Sequence, residues 1–108
     1  MKWSELPEAS CPIARSLSVV GDRWTLLILR DCFMGKTRFD AFQKSLGLTR
    51  HVLAERLARL VEAGVLEKHG YAPRRYDYRL TARGKALAPV MHGLFDWGEE
   101  HVGRVSVV

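Results

Sequence analysis

Two cysteines in 108 residues, Cys11 and Cys32, are too few for a disulfide framework, and no Cys-x-x-Cys or His-x-x-x-His spacing accompanies them. Stapled and zinc-built folds are therefore not expected, nor is a metal or other cofactor, and both thiols are expected to be reduced at rest. Long apolar runs are missing as well. The longest, Leu26 to Leu29, has four residues, where a bilayer requires about 18. No signal-peptide apolar region follows Met1 to Glu5, so the expected location is the cytoplasm, in association with the nucleoid. The chain also lacks a phosphate-cradling glycine string, a nucleophile elbow and His-Glu-x-x-His, which leaves no catalytic residue to name and argues against an enzyme. Glu99-Glu100-His101 reads as a solvated helix end. With no repeat, low-complexity tract or Ser/Gly-rich linker, the length suits one domain around one core.

What is present is an ordinary globular composition, 47% hydrophobic and 27% charged, with an unevenly placed excess of base. Seventeen Lys and Arg against twelve Asp and Glu give +5. Residues 1–35 balance at four of each sign. Residues 36–59 hold six basic side chains and two acidic ones, and residues 68–85 hold six basic against Asp77 alone. A polyanionic partner is implied if both basic blocks share a face of the fold; a solvated surface is the alternative.

Residues 1–10, with Pro7 and little periodicity, read as an arm. Ser10-Cys11-Pro12 starts a helix, because Pro at the first helical position lacks only an N–H that would be orphaned anyway; Ile13, Leu17 and Val20 follow at helical spacing. Gly21-Asp22 ends it. A second helix, about Arg23 to Phe33, is apolar nearly all round and belongs at the centre, stopped by Gly35. Trp24 lies on it, and core packing outweighs a ligand-stacking role. Thr37-Arg38-Phe39-Asp40 has capping-box spacing ahead of a short helix through Phe39, Phe42 and Leu46 to Gly47. Thr49 caps the next helix, whose Leu53, Leu57, Leu60 and Val61 form one stripe closed by Gly64. These two helices and their tight turn make a helix-turn-helix candidate.

Val65 to His69 and Tyr76 to Leu80 flank a tip, Gly70 to Arg75, and Tyr76, Tyr78 and Leu80 alternate with charged residues: a β-hairpin. Thr81 caps a last helix, about 82–102, expected to bend at Pro89. The expected fold is mainly α with a small β-hairpin, a winged helix-turn-helix domain over 11–102. Its recognition helix spans about 50–63 and its wing about 65–80; the arm 1–10 and a tail 103–108 flank the domain. In such a fold the second helix of the motif enters the major groove and the hairpin tip reaches the neighbouring backbone or minor groove. Both basic blocks coincide with those elements.

Several strings also look familiar: Cys11-Pro12-Ile13, Gly21-Asp22-Arg23-Trp24-Thr25-Leu26-Leu27-Ile28-Leu29-Arg30, Arg38-Phe39, Leu53 to Leu57, and Tyr76-Asp77-Tyr78-Arg79-Leu80-Thr81. Together they resemble the HxlR-type bacterial winged-helix transcriptional regulators from about Cys11 to His101. The resemblance implies a homodimer that binds double-stranded operator DNA through the helix starting at Thr49 and through the wing, with terminal helices forming the dimer contact. It also implies a possible small-molecule or oxidant effector, since some such regulators sense quinones, aldehydes or hypochlorite through a cysteine placed like Cys11. Members often carry Asn or Lys where His51 stands and a basic residue at Ala58, so this helix offers fewer donors.

Residue by residue, Arg50 is the first candidate for a bidentate contact to guanine, and His51 for a base or phosphate; Thr49 is either a contact or only a cap. Arg56 and Arg59 meet phosphate or pair with neighbouring acids. Lys36, Thr37 and Arg38 suit a phosphate at a helix N-terminus. Arg74 and Arg75, beside Pro73 with Asp77 as their nearby acid, are wing contacts or a solvated tip. Leu87, Met91, Leu94, Phe95 and Trp97 are more apolar surface than one terminal helix of a small monomer needs, which favours dimer burial over docking on its own core. Cys11 faces free N–H groups at the positive end of a helix and is a redox candidate or a plain cap, whereas Cys32, in apolar company, reads as inert. A winged-helix module that meets an acidic protein through its basic face is the alternative function.

Overall fold

A computed structural model describes residues 2–103. A 3₁₀-helix, Trp3–Glu8, is followed by α1 (Pro12–Val20), α2 (Arg23–Phe33), α3 (Phe39–Leu46) and α4 (Arg50–Glu62). The hairpin β1 (Leu66–Ala72) and β2 (Arg75–Leu80) comes next, then α5 (Ala82–Lys85) and α6 (Ala88–His101). Residues 1–10, read as an irregular arm, thus contain a helix that packs against α1. The expected tail lies outside the described residues except for Gly103. Among the described residues no helix is long and apolar enough to cross a membrane.

Local chemistry places most boundaries. Cys11 is the N-cap of α1, with Pro12 in its first turn. Asp22 caps α2 by accepting from the Thr25 N–H at 2.9 Å and the Thr25 hydroxyl at 2.7 Å. Gly47 closes α3 at φ +67 and Gly64 follows α4 at φ +76, left-handed positions that a side chain would strain. Between α3 and α4, Thr49 accepts from the Val52 N–H at 3.2 Å. One expectation fails at α3: Thr37 is not its cap. Arg38 occupies that position without a side-chain cap bond, and the Thr37 carbonyl instead accepts from the Tyr78 N–H of the wing at 2.8 Å.

The core gathers the inward faces of these helices and the root of the wing. Ile28 and Leu29 of α2, Phe42 of α3, Leu53, Leu57 and Leu60 of α4, and Val65 and Leu66 are all buried. Each such side chain contributes roughly 1.5–3 kcal/mol of burial, and Leu53, Leu57 and Leu60 are the expected stripe. Trp24 is half-buried against this cluster, with the Arg23 guanidinium 4.6 Å from its ring centroid.

The wing is tighter than its sequence implied. β1 and β2 pair antiparallel from Leu66↔Leu80 to Ala72↔Arg75, leaving Pro73 and Arg74 as the whole turn, with Arg74 at φ +60. Tyr71 occupies a bulge between Gly70 and Ala72. At the root, Thr81 donates to the Gly64 carbonyl at 2.5 Å and accepts from the Gly84 N–H at 3.0 Å, clasping the end of α4 to the start of α5. Gly84 must remain bare, because a Cβ there would lie 2.2 Å from the Val65 carbonyl oxygen.

The expected single helix over 82–102 is two helices. It breaks around Leu87, and Pro89 stands in the first turn of α6, where its missing N–H is not needed. A bend inside one helix would have lost that hydrogen bond; a restart does not.

Candidate nucleic-acid interface

α4 presents Thr49, Arg50, His51, Glu55 and Arg59 on its exposed side. Arg50 opens the helix and is 71% exposed at its side chain, with Asp40 at 3.6 Å and Gln43 at 3.5 Å. Its guanidinium sits 4.7 Å from the Phe39 ring centroid. This side chain is oriented without being sequestered.

The other arginines of the helix differ. Arg56 is largely covered and pairs with Asp22 at 3.3 Å and Glu55 at 3.2 Å. Arg59 pairs with Glu55 at 3.0 Å across one helical turn. Asp22 titrates below the usual carboxylate range: burial raises its pKa, but the Thr25 N–H and hydroxyl and the Arg56 charge outweigh that.

Of the residues before α3, Lys36 and Thr37 are half-buried. Arg38 turns towards the wing: its Nε donates to Asp77 Oδ1, and its guanidinium stacks 3.8 Å from the Tyr71 ring centroid. Asp77 takes a second bond from Arg79 at 3.1 Å. Arg74 and Arg75 at the tip are exposed, and no ion pair is found for either among the described residues. The expected neighbour Asp77 is therefore held by Arg38 and Arg79 rather than by the tip.

Between the start of α4 and the wing lies an open cleft of about 520 Å³, walled by Arg38, Arg50, Arg74, Arg75, Tyr71 and Tyr76. The two basic blocks thus meet on one face. Tyr71 carries no expectation from the sequence, and Asp77 only that of an acid near Arg74 and Arg75. Period-two alternation put Asp77 on the outward face of β2, and nothing local marks it as 5% exposed.

The winged helix-turn-helix architecture is complete with this cleft, and the HxlR-like helix-turn-helix family model matches residues 19–106. The chain belongs to the HxlR-like helix-turn-helix family. An HTH-type transcriptional regulator of Mycobacterium tuberculosis is 43% identical over 94 residues, which cover 85% of this chain and 60% of that protein. The chain therefore spans about 60% of the length of this relative. The crystal structure of PA1607, assigned as a transcription factor, superposes with a TM-score of 0.87 at 46% identity, covering 97% of this chain and 75% of that one. The redox regulator HypR in its reduced form matches with a TM-score of 0.78 at 27% identity, over 83% of this chain and 92% of HypR. Family and winged helix-turn-helix fold are both as the sequence led us to expect.

Away from the cleft, the residues expected at a dimer contact divide in two. Leu87 and Met91 are half-buried against the chain's own core, whereas Leu94, Phe95 and Trp97 are 50%, 68% and 60% exposed. An apolar groove of about 470 Å³ runs between α2 and α6, with Leu26, Phe33, Met34, Met91, Leu94 and Phe95 on its walls. Ile13 and Leu17 of α1 are exposed as well.

The cysteines also contrast. Cys11 is exposed, and the Ala14 and Ile13 N–H groups hold its thiol below the ordinary value, outweighing the opposing effect of burial, with a lesser contribution from the Arg15 charge. Burial, with the Asp31 charge beside it, pushes Cys32 up to about 12.

Proposed function

We propose that this HxlR-like protein binds operator DNA as a homodimer, in the cytoplasm and in association with the nucleoid. Arg50 reads a base at the start of the recognition helix, with Thr49 and His51 beside it. Arg74 and Arg75 hold the flanking backbone from the wing. The observation that carries this reading is the cleft itself: Arg50 from the start of α4 and Arg74 and Arg75 from the wing tip line one common open space. Phosphate contacts set register while a base contact sets sequence preference, and the cleft offers both. Arg56 and Arg59, engaged with acids on their own helix and on α2, serve the fold first.

A second copy of the chain is the occupant we assign to the groove between α2 and α6. Met91, Leu94 and Phe95 line that groove, Trp97 is exposed farther along the same helix, Leu87 precedes it, and a two-fold axis would bury this apolar surface against itself. Cys11, exposed at the start of α1, is the candidate sensor of a thiol-reactive effector. Its exposure, its lowered pKa and the fold shared with a redox regulator support that role.

Selection of bound duplexes from a random pool tests the central claim. A pseudo-palindromic consensus with half-site centres about one helical turn apart, or a multiple of it, is expected. Binding without sequence preference would instead favour a basic module that meets an acidic protein.

A further inference from the structure

Arg38 and Asp77 are separated by 39 residues, yet they join the helix-turn-helix to the wing at one point. Arg38 is the N-cap of α3 and Asp77 lies in the middle of β2. Both carboxylate oxygens of Asp77 are engaged, Oδ1 by Arg38 and Oδ2 by Arg79. The backbones of Arg38 and Asp77 form an isolated antiparallel bridge, reinforced by the Tyr78 N–H bonded to the Thr37 carbonyl. Arg38 also stacks on Tyr71, the bulge residue of β1. One side chain therefore grips both strands, β2 by its edge and β1 by its face. His69 stands opposite Asp77 in the hairpin register, but its Nε2 is 2.9 Å from Glu67.

This geometry gives Asp77 a role that its burial forbids it to play by contact. We infer that Asp77 is a positioning residue of the DNA interface: through Arg38 it sets the width of the cleft between recognition helix and wing. It thereby fixes the separation of Arg50 from Arg74 and Arg75 without touching DNA. The inference rests on the DNA-binding reading above. A two-stranded hairpin is marginal by itself, so its orientation must come from what its root and flank are tied to. The root is held by Thr81 and the core at Leu66. The flank towards the cleft is held by the Arg38–Asp77–Tyr71 cluster. A wing held in place pays less ordering entropy on binding than one that swings, and a guanidinium locked edge-on to a carboxylate and face-on to a ring is pre-oriented.

The test uses Asp77→Asn, nearly isosteric and neutral, with Arg38→Lys, which keeps the charge but loses the fork and the stacking plane. In the free protein, amide exchange at Tyr78 should accelerate in both variants while Leu57 in the core of α4 remains protected. With selected duplex, both should lose roughly ten-fold in affinity, as expected for a coupled pair. The salt slope should stay at its wild-type value. Hydroxyl-radical protection should fade over the wing-contacted flanks and persist at the half-site centres, and the double variant should be no worse than the single ones. An Arg38→Gln change that lowers the salt slope by about one, with a loss that adds to that of Asp77→Asn, would make Arg38 a phosphate ligand and overturn the inference. Unchanged Tyr78 exchange, with duplex binding intact, would overturn it as well. A wild-type protein without duplex preference would overturn the DNA-binding reading and the positioning role with it, while Tyr78 exchange would still show whether Asp77 holds the wing. Should Asp77→Asn fail to fold, Arg38→Lys carries the same comparison from an exposed side chain.

Discussion

Arg56 of α4 places its Nε 3.3 Å from Oδ1 of Asp22, the residue that caps α2. The same carboxylate accepts from the Thr25 N–H and hydroxyl, so the two central helices share one anion.

Replacing Asp22 by Asn keeps a good cap but removes the charge that Arg56 meets. The expected loss is about 1 kcal/mol at neutral pH, since hydrogen bonds to charged groups exceed neutral ones and exposure on both sides discounts the pair. The pKa of Asp22 is lower in the folded chain than the ordinary value near 3.9. Its contribution is therefore present above that value and is lost as pH falls through the folded pKa. Urea midpoints measured between neutral pH and acid should fall less steeply for Asp22→Asn than for wild type; parallel curves would remove Asp22 from the acid limb.

Arg50 and Arg74 should fail differently. Arg50→Ala is expected to cost about 1–3 kcal/mol on the selected duplex and to relax base preference, whereas Arg74→Ala should weaken all sequences alike and lower the salt slope by about one. Titrations on specific and random duplexes at several salt concentrations separate the two. Equal losses on both duplexes for Arg50→Ala would end its assignment as a reading residue.

Leu94 is half exposed on α6 beside Phe95. A glutamate there would set a charge in the apolar face, at a cost above about 2 kcal/mol if that face is the centre of a dimer. Sedimentation of Leu94→Glu should show monomer at concentrations where wild type is dimeric, with operator affinity reduced. A variant that stays dimeric and binds normally would move the interface elsewhere.

Diamide or quinone treatment should lower the operator affinity of wild type by roughly 5- to 150-fold, the usual span of coupling between sites. Reductant should reverse the diamide effect, and Cys11→Ser should not respond. Cys32, buried and with its thiol pushed up to about 12, should remain unmodified by mass spectrometry of the folded protein. An equal response from Cys11→Ser would reduce Cys11 to a helix cap.

The elements themselves were legible because their signals are local. Pro12, Gly47, Thr49, Gly64 and Thr81 each act on backbone within a turn of themselves, and the Leu53, Leu57 and Leu60 stripe needs only helical periodicity. Pro89 does disrupt the last helix, but by starting a new one and not by bending it. Where a helix restarts depends on how the next segment packs, and here Leu87 and Met91 dock on the core at the break.

Composition, charge blocks and periodicity sufficed for a basic winged helix with an apolar last helix. Which arginines reach the cleft and which are tied to buried or half-buried acids was decided by tertiary structure. Arg38 meets Asp77 across 39 residues and Arg56 meets Asp22 across 34, while Arg50, Arg74 and Arg75 are left facing the cleft. Asp77 shows the reason most clearly. Strand alternation reports which way a side chain points, but burial depends on what the fold lays over that face, and here Arg38, from the start of α3, covers it.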